Sequence, residues 1–153
     1  MELSNDFKEF IELLNVNKVK YLVVGGYAVG FHGHPRYTKD IDLWVLMKSN
    51  NASNIIKSVK EFGFESLGLE EEDFLNSDNI IQLGFPPNRI DLLTEIAGVE
   101  FESCYSNKLT IEFEGVTIPF ISLNDLIKNK QSSGRLQDLA DAEKLEKLKK
   151  KKY

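Results

Sequence analysis

Apolar residues recur along this chain at two periods, and the switches between them mark out its elements. Phe7, Phe10, Ile11 and Leu14 fall three and four apart, the spacing of one helix face. Tyr21 to Val24 is a continuous apolar run, too short for a helix, and reads as a buried strand over about 20–24. A short helix is expected over Tyr27 to Phe31. Ile41, Leu43 and Val45 then alternate with Asp42 and Trp44, the period of a strand over about 40–47. Ile55, Ile56, Val59 and Phe62 return to helical spacing, and Gly63 supplies a stop. Residues 66–79 are acidic and read as a loop, with Glu70 to Asp73 exposed.

Ile80 to Gly84 and Arg89 to Thr94 read as two strands joined by Phe85-Pro86-Pro87-Asn88. Residues 99–105 fit a helix or an irregular connection. Leu109 to Phe113 alternates, Glu114-Gly115 turns, and Val116 to Phe120 completes a β-hairpin. Ser122, with Asp125 in the place of the usual Glu, resembles a capping box and opens a helix through about Gln131. Ser133-Gly134 breaks it, and a last helix starts near Leu136. The expected architecture is α+β: one domain over residues 1–153 with a mixed sheet of about five or six strands and helices chiefly on one face.

Three aspartates carry the chemistry. Asp40 and Asp42 stand two apart on a strand, so they point to one face with Cα atoms about 6.5–7 Å apart. Two carboxylates on one face converge on a hard divalent cation such as Mg2+ or Mn2+, which takes oxygen ligands and substrate phosphates. Without a cation their repulsion raises one pKa. Asp91 is the candidate third ligand if its strand lies near that of Asp40. Three carboxylates suit two metals about 3.5–4 Å apart, with Asp91 the best-placed general base. Upstream, Gly25-Gly26 ends the first strand, and glycine there lets backbone amides approach a phosphate unobstructed.

The order Gly25-Gly26, Asp40-x-Asp42, Asp91 resembles the DNA polymerase β-type nucleotidyltransferase superfamily. The fuller run, with His32, Gly33, Arg36 and Thr38 before the acidic pair, is similar to small bacterial abortive-infection toxin-type and lincosamide-type nucleotidyltransferases. Residues 126–145 resemble the closing helices of the toxin-type group, so the likeness covers roughly 18–148. It implies a nucleotidyltransferase fold, with Gly25 and Gly26 on a triphosphate and Asp40, Asp42 and Asp91 on magnesium. Relatives often carry serine where this chain has Gly26, which removes a hydroxyl donor and keeps the amide. The implied reaction moves a nucleoside monophosphate from a nucleoside triphosphate to a hydroxyl acceptor. That acceptor is a small molecule, a protein side chain or a transfer-RNA end. The alternative is a catalytically silent nucleotide-binding or toxin–antitoxin-type interaction protein with a cognate protein partner.

Secondary candidates follow. Arg36 and Lys39 precede the acidic pair and either contact phosphate or offset its charge. Thr38 is suited to fix the loop by a hydroxyl-to-backbone bond. Lys130 and Arg135 match the toxin-type pattern and are expected to reach the nucleotide, or Arg135 pairs with Asp138 or another helix carboxylate. His32 and His34 lack the ligand set of a zinc site, and a structural hydrogen bond is expected of His32. Trp44 either borders a pocket or packs against a helix.

Composition narrows the picture. The net charge of −5 over 153 residues argues against a broad nucleic-acid-binding surface, and the basic cluster at Lys147 and Lys149 to Lys152 reads as a fraying helix end. No apolar run approaches the roughly 20 residues of a membrane span. The polar, acidic start is unlike a signal peptide. The single cysteine, Cys104, forms no internal disulfide, which fits a reducing cytoplasm.

Overall fold

The computed structural model describes residues 2–35 and 38–152, the side chain of residue 152 excepted. Its first helix, α1 (Asn5–Val16), buries the expected stripe Phe7, Phe10, Ile11 and Leu14, each at most 1 % exposed. Ser4 caps it, its hydroxyl accepting from the Phe7 amide at 3.1 Å. Strand β1 (Tyr21–Val24) is buried at every position, as its unbroken apolar run requires. The chain passes straight into α2 (Gly25–Phe31), so the glycine pair forms the first turn of that helix. Strand β2 (Ile41–Val45) and helix α3 (Ser49–Glu61) follow.

The acidic stretch is not a plain loop. It holds two 3-10 turns, Glu65–Leu67 and Glu71–Phe74, the second closed by reciprocal Glu70 and Asp73 capping bonds. Phe74 is fully buried and anchors the segment, one apolar side chain outweighing its polar neighbours. Strands β3 (Ile80–Leu83) and β4 (Ile90–Leu93) lead to helix α4 (Phe101–Ser106), which resolves residues 99–105 as largely helical. Strands β5 (Leu109–Phe113) and β6 (Val116–Phe120) form the expected hairpin. Its turn puts Glu114 at φ 50° and Gly115 at φ 82°, the left-handed pair that matches the twist of a two-residue hairpin. Helix α5 (Leu123–Ser133) starts at Ser122, whose hydroxyl accepts from the Asp125 amide, and ends at Gly134 with φ 76°. Helix α6 (Leu136–Lys152) carries the lysine cluster as helix.

The protein is α+β, with six strands in the order β3-β4-β2-β1-β6-β5. The sheet is mixed: β1 runs antiparallel to β2 and parallel to β6, and β2 runs parallel to β4. The core lies on the central strands. Tyr21 bonds to Asn15 of α1, and Phe10 of α1 packs edge-on to Phe62 after α3. Trp44, whose neighbours on β2 point the other way, meets Phe101 of α4 edge-on at 5.1 Å.

The far ends of β1 and β2 are tied by one buried amide. Asn51 accepts from the Lys20 amide at 2.8 Å and donates to the carbonyls of Lys20 at 3.1 Å and Leu46 at 2.9 Å. This fixes the β1–β2 register on which the acidic residues depend. Replacing Asn51 by alanine leaves the Lys20 amide without its partner, the Lys20 and Leu46 carbonyls keeping the Leu46 and Lys48 amides, and is expected to cost about 1–3 kcal/mol, read by urea unfolding. A loss under about 0.5 kcal/mol, the level of a neutral surface change, would contradict this role.

Candidate functional site

Sheet pairing brings two of the three aspartates side by side. Asp42 on β2 stands opposite Val24 on one flank and Asp91 of β4 on the other. Neighbouring strands lie about 4.8 Å apart, so the two carboxylates share a face at close range. Asp91 is 7 % exposed. Asp42 is partly buried and makes no hydrogen bond or ion pair among the described residues. Burial first, then repulsion from Asp91 and Asp40, pushes its carboxyl up to about 6, while Lys130 and Arg89 pull the other way.

The glycine turn presses on this group. Gly25 has φ +67°, which side-chain-bearing residues rarely adopt, and a Cβ there would collide with the Asp42 carboxylate. A Cβ at Gly26 would stand 3.2 Å from the Thr38 Cβ, so even a serine there would crowd this turn. Thr38 donates to the Asp40 carbonyl at 2.9 Å, the local bond expected of it.

Arg89 was not singled out by the sequence pattern. Its guanidinium donates to both oxygens of Asp91, at 2.8 and 3.1 Å, and reaches Asp40 at 2.9 Å. The signal was present: two residues before Asp91, it must share that face of the strand. Asp40 keeps its other oxygen buried and, among the described residues, without a partner. The donor set fits a hard divalent cation in chemistry, with three carboxylates, one unengaged oxygen on Asp40 and an unpaired Asp42. It is not drawn together around one point: among the described residues no three acidic, histidine or cysteine side chains are placed to hold a metal ion.

A cleft of about 470 Å³ opens from Asp42. Gly25, Gly26 and Asp42 form one wall, and Lys130, Ser133 and Arg135 of the α5–α6 corner form the other. Five residues selected from distant parts of the sequence therefore meet. Lys130 is buried between Asp138 at 2.9 Å and Asp141 at 3.4 Å. Arg135, with its side chain 78 % exposed, bonds Asp138 at 2.8 Å, as its spacing allowed. Burial opposes the charged form of Asp138, but hydrogen bonds from Ser133, Lys130 and Arg135 outweigh it and hold the carboxyl down to about 2. Asn129, Gln137 and Glu95 also line the cleft, with no sequence signal beyond their polarity.

Other candidates lie elsewhere. Lys39 is exposed and, like Thr38, does not line the cleft. Arg36 lies outside the described residues. Trp44 is packing, not pocket, and His32 is buried with Nε2 donating to the Ile121 carbonyl at 2.7 Å, a structural bond.

The family profile described as "Nucleotidyltransferase of unknown function (DUF6036)" matches residues 2–150. The chain belongs to this family. Its fold is similar to two solved structures. One is a candidate nucleotidyltransferase from Thermotoga maritima, 18 % identical, covering 94 % of this chain and 90 % of that one, with a TM-score of 0.56. The other is an antigenic nucleotidyltransferase-like protein from Paracoccidioides brasiliensis, 15 % identical, covering 95 % of this chain and 77 % of that one, also at 0.56. At such identities the likeness is one of fold. No curated protein matches in sequence. Among the described residues no helix is long and apolar enough to cross a membrane.

Two outcomes follow for this nucleotidyltransferase-family site. The Asp42 carboxyl is raised in the folded state, so folding binds a proton more tightly and stability falls as pH rises from about 4 to 6. Asp42→Asn removes that penalty. With chelator at pH 7.5 it should be more stable than wild type by about 1–2 kcal/mol, after allowance for solvent screening, and the gap should close below pH 4. Equal stability at pH 7.5 would show the charge is not under strain. Lys130→Met strands buried carboxylates and should cost about 3 kcal/mol, whereas Arg135→Ala should change stability by less than about 0.5 kcal/mol, both by thermal unfolding.

Proposed function

We propose that the chain transfers a nucleoside monophosphate from a nucleoside triphosphate to a hydroxyl acceptor, releasing pyrophosphate. One observation carries the reading. One cleft sets Asp42 and the side-chain-free Gly25 turn against the corner where the exposed Arg135 stands beside Lys130 and Asp138. A polyphosphate needs close backbone approach and counter-charges on one side, with carboxylates near the reacting phosphorus on the other.

In this reading Gly25 and Gly26 let phosphate oxygens approach the main chain. Arg135 spends one donor on Asp138 and keeps others for phosphate. Lys130 acts from behind, its charge shared with Asp138 and Asp141. Lys39 and Arg36 would add positive charge at the loop that Thr38 braces. Asp40, Asp42 and Asp91 would hold Mg2+ or Mn2+, which when bound neutralises triphosphate charge and eases ionisation of the acceptor hydroxyl. Asp91 would take the acceptor proton, which requires Arg89 to release its carboxylate. The acceptor oxygen then bonds to the α-phosphorus as the bond to the departing pyrophosphate breaks. Most of the rate gain would come from positioning and fixed charge.

A second reading is a silent nucleotide-binding or partner-binding protein. Arg89 favours it, because a guanidinium on Asp40 and Asp91 supplies the counter-charge a metal would otherwise provide. Titration calorimetry with each of the four nucleoside triphosphates, with and without magnesium, separates the two. Transfer predicts magnesium-dependent binding that falls at least tenfold in the Asp40→Asn/Asp42→Asn double variant. Binding indifferent to magnesium and to these substitutions would remove the catalytic reading.

A further inference from the structure

Asp40, Asp42, Arg89 and Asp91 form the corners of one patch. Just ahead of the Ile41–Ile90 pair, Asp40 and Arg89 stand opposite each other, and the Ile41 amide donates to the Arg89 carbonyl at 3.1 Å. Alternation puts both on the face that Asp42 and Asp91 share two positions further along. Three corners are carboxylates and the fourth is a guanidinium. One of its nitrogens, Nη2, reaches Asp40 Oδ2 at 2.9 Å and Asp91 Oδ2 at 3.1 Å, while Nε donates to Asp91 Oδ1 at 2.8 Å. Both oxygens of Asp91 and one of Asp40 are engaged in this way, and none of these bonds goes to Asp42.

Resting on the reading of the three aspartates as a metal site, we propose that Arg89 is a tethered competitor for the divalent cation. The ion takes Asp40 and Asp91 together only by expelling the guanidinium. Both cations call on the same oxygens, and a dication held there would face the guanidinium at a range where like charges repel. Expulsion is open to the side chain, which is 25 % exposed, because a bridge that water reaches is far weaker than a buried one. The competition is built into the sheet register: the pairing that sets Asp91 beside Asp42 also sets Arg89 beside Asp40. It accounts for three carboxylates that share a patch without converging on one point, since Asp40 and Asp91 turn to Arg89 instead. A bridge that only braced the ligands would act in the opposite sense. Its loss would loosen Asp40 and Asp91 and weaken metal binding.

Calorimetric titration of the full, chelator-stripped chain with Mn2+ alone separates the two by sign. Arg89→Met is expected to bind Mn2+ at least about tenfold more tightly than wild type, and Mg2+ should raise its thermal midpoint by more than it raises that of wild type. Arg89→Lys keeps the charge but loses the two-pronged grip on Asp91, and should bind at least about threefold more tightly. It carries the test where Arg89→Met does not fold. Lys39→Met removes an exposed neighbouring charge without freeing an oxygen of Asp91, and should stay within about twofold of wild type. In wild type, nuclear magnetic resonance should show the Arg89 Nε–H signal shift and exchange faster with water as Mg2+ is added. Weaker or unchanged Mn2+ binding in the Arg89 variants, an equal gain in Lys39→Met, or an Arg89 signal unmoved at Mg2+ saturation would overturn the competition. Wild-type binding with no gain in the variants removes this inference alone. Mn2+ bound by no form removes the metal reading with it.

Discussion

The site depends on a steric fact: the main chain at Gly25 runs against the carboxylate of Asp42, with no room for a Cβ between them. That contact is possible because β1 and β2 pair with Val24 opposite Asp42, and it is held from the far end of the strands by Asn51. Everything else at the site is arranged about it. Asp91 arrives on the other flank through β2–β4 pairing, and Thr38 packs where a side chain at position 26 would go. A slip of one residue in the β1–β2 register would turn Asp42 to the opposite face and separate it from the turn.

Charge is the second constraint. Burial of Asp42 and, after it, repulsion from Asp91 and Asp40 raise its pKa. Arg89 relieves part of that repulsion by spanning Asp40 and Asp91, at the cost of engaging the groups that a metal would use. Across the cleft the balance is reversed. Lys130 is wrapped by Asp138 and Asp141, and only Arg135 stands largely in solvent with donors to spare. Two cations there face two carboxylates, so the positive charge that wall offers the cleft is that of one exposed side chain, Arg135.

Most local structure was legible because it is written at short range. The α1 stripe, the Glu114-Gly115 turn and the Ser122 cap each depend on residues within a few positions. The glycine pair and the three aspartates were visible as types and spacings, and the sheet order then placed Asp42 beside Asp91. What was not legible arises from long-range placement. Phe74 lies in an acidic stretch and shows its importance only when buried. Lys130 was read as a nucleotide contact, and its burial against Asp138 and Asp141 depends on how α6 folds back on α5. The ambiguity at Trp44 was settled by where Phe101 falls, about sixty positions later. Arg89 could have been found from strand alternation alone, since it shares a face with Asp91.

The two walls of the cleft also differ in how far apart their parts lie along the chain. The basic wall is a local knot: Lys130, Ser133 and Arg135 all converge on Asp138, no more than eight positions away. The acidic wall joins Val24 and Asp42 on neighbouring strands, with Asp91 behind it on the next, positions far apart in sequence. Loops that close over few residues lose little entropy and form fast, whereas pairing of distant strands is slow. The basic corner can therefore assemble in a chain whose sheet is still incomplete, and the carboxylates join it only when the sheet is finished. Opposed charges then face each other across the cleft only in the fully folded molecule, so site formation reports on completion of the fold.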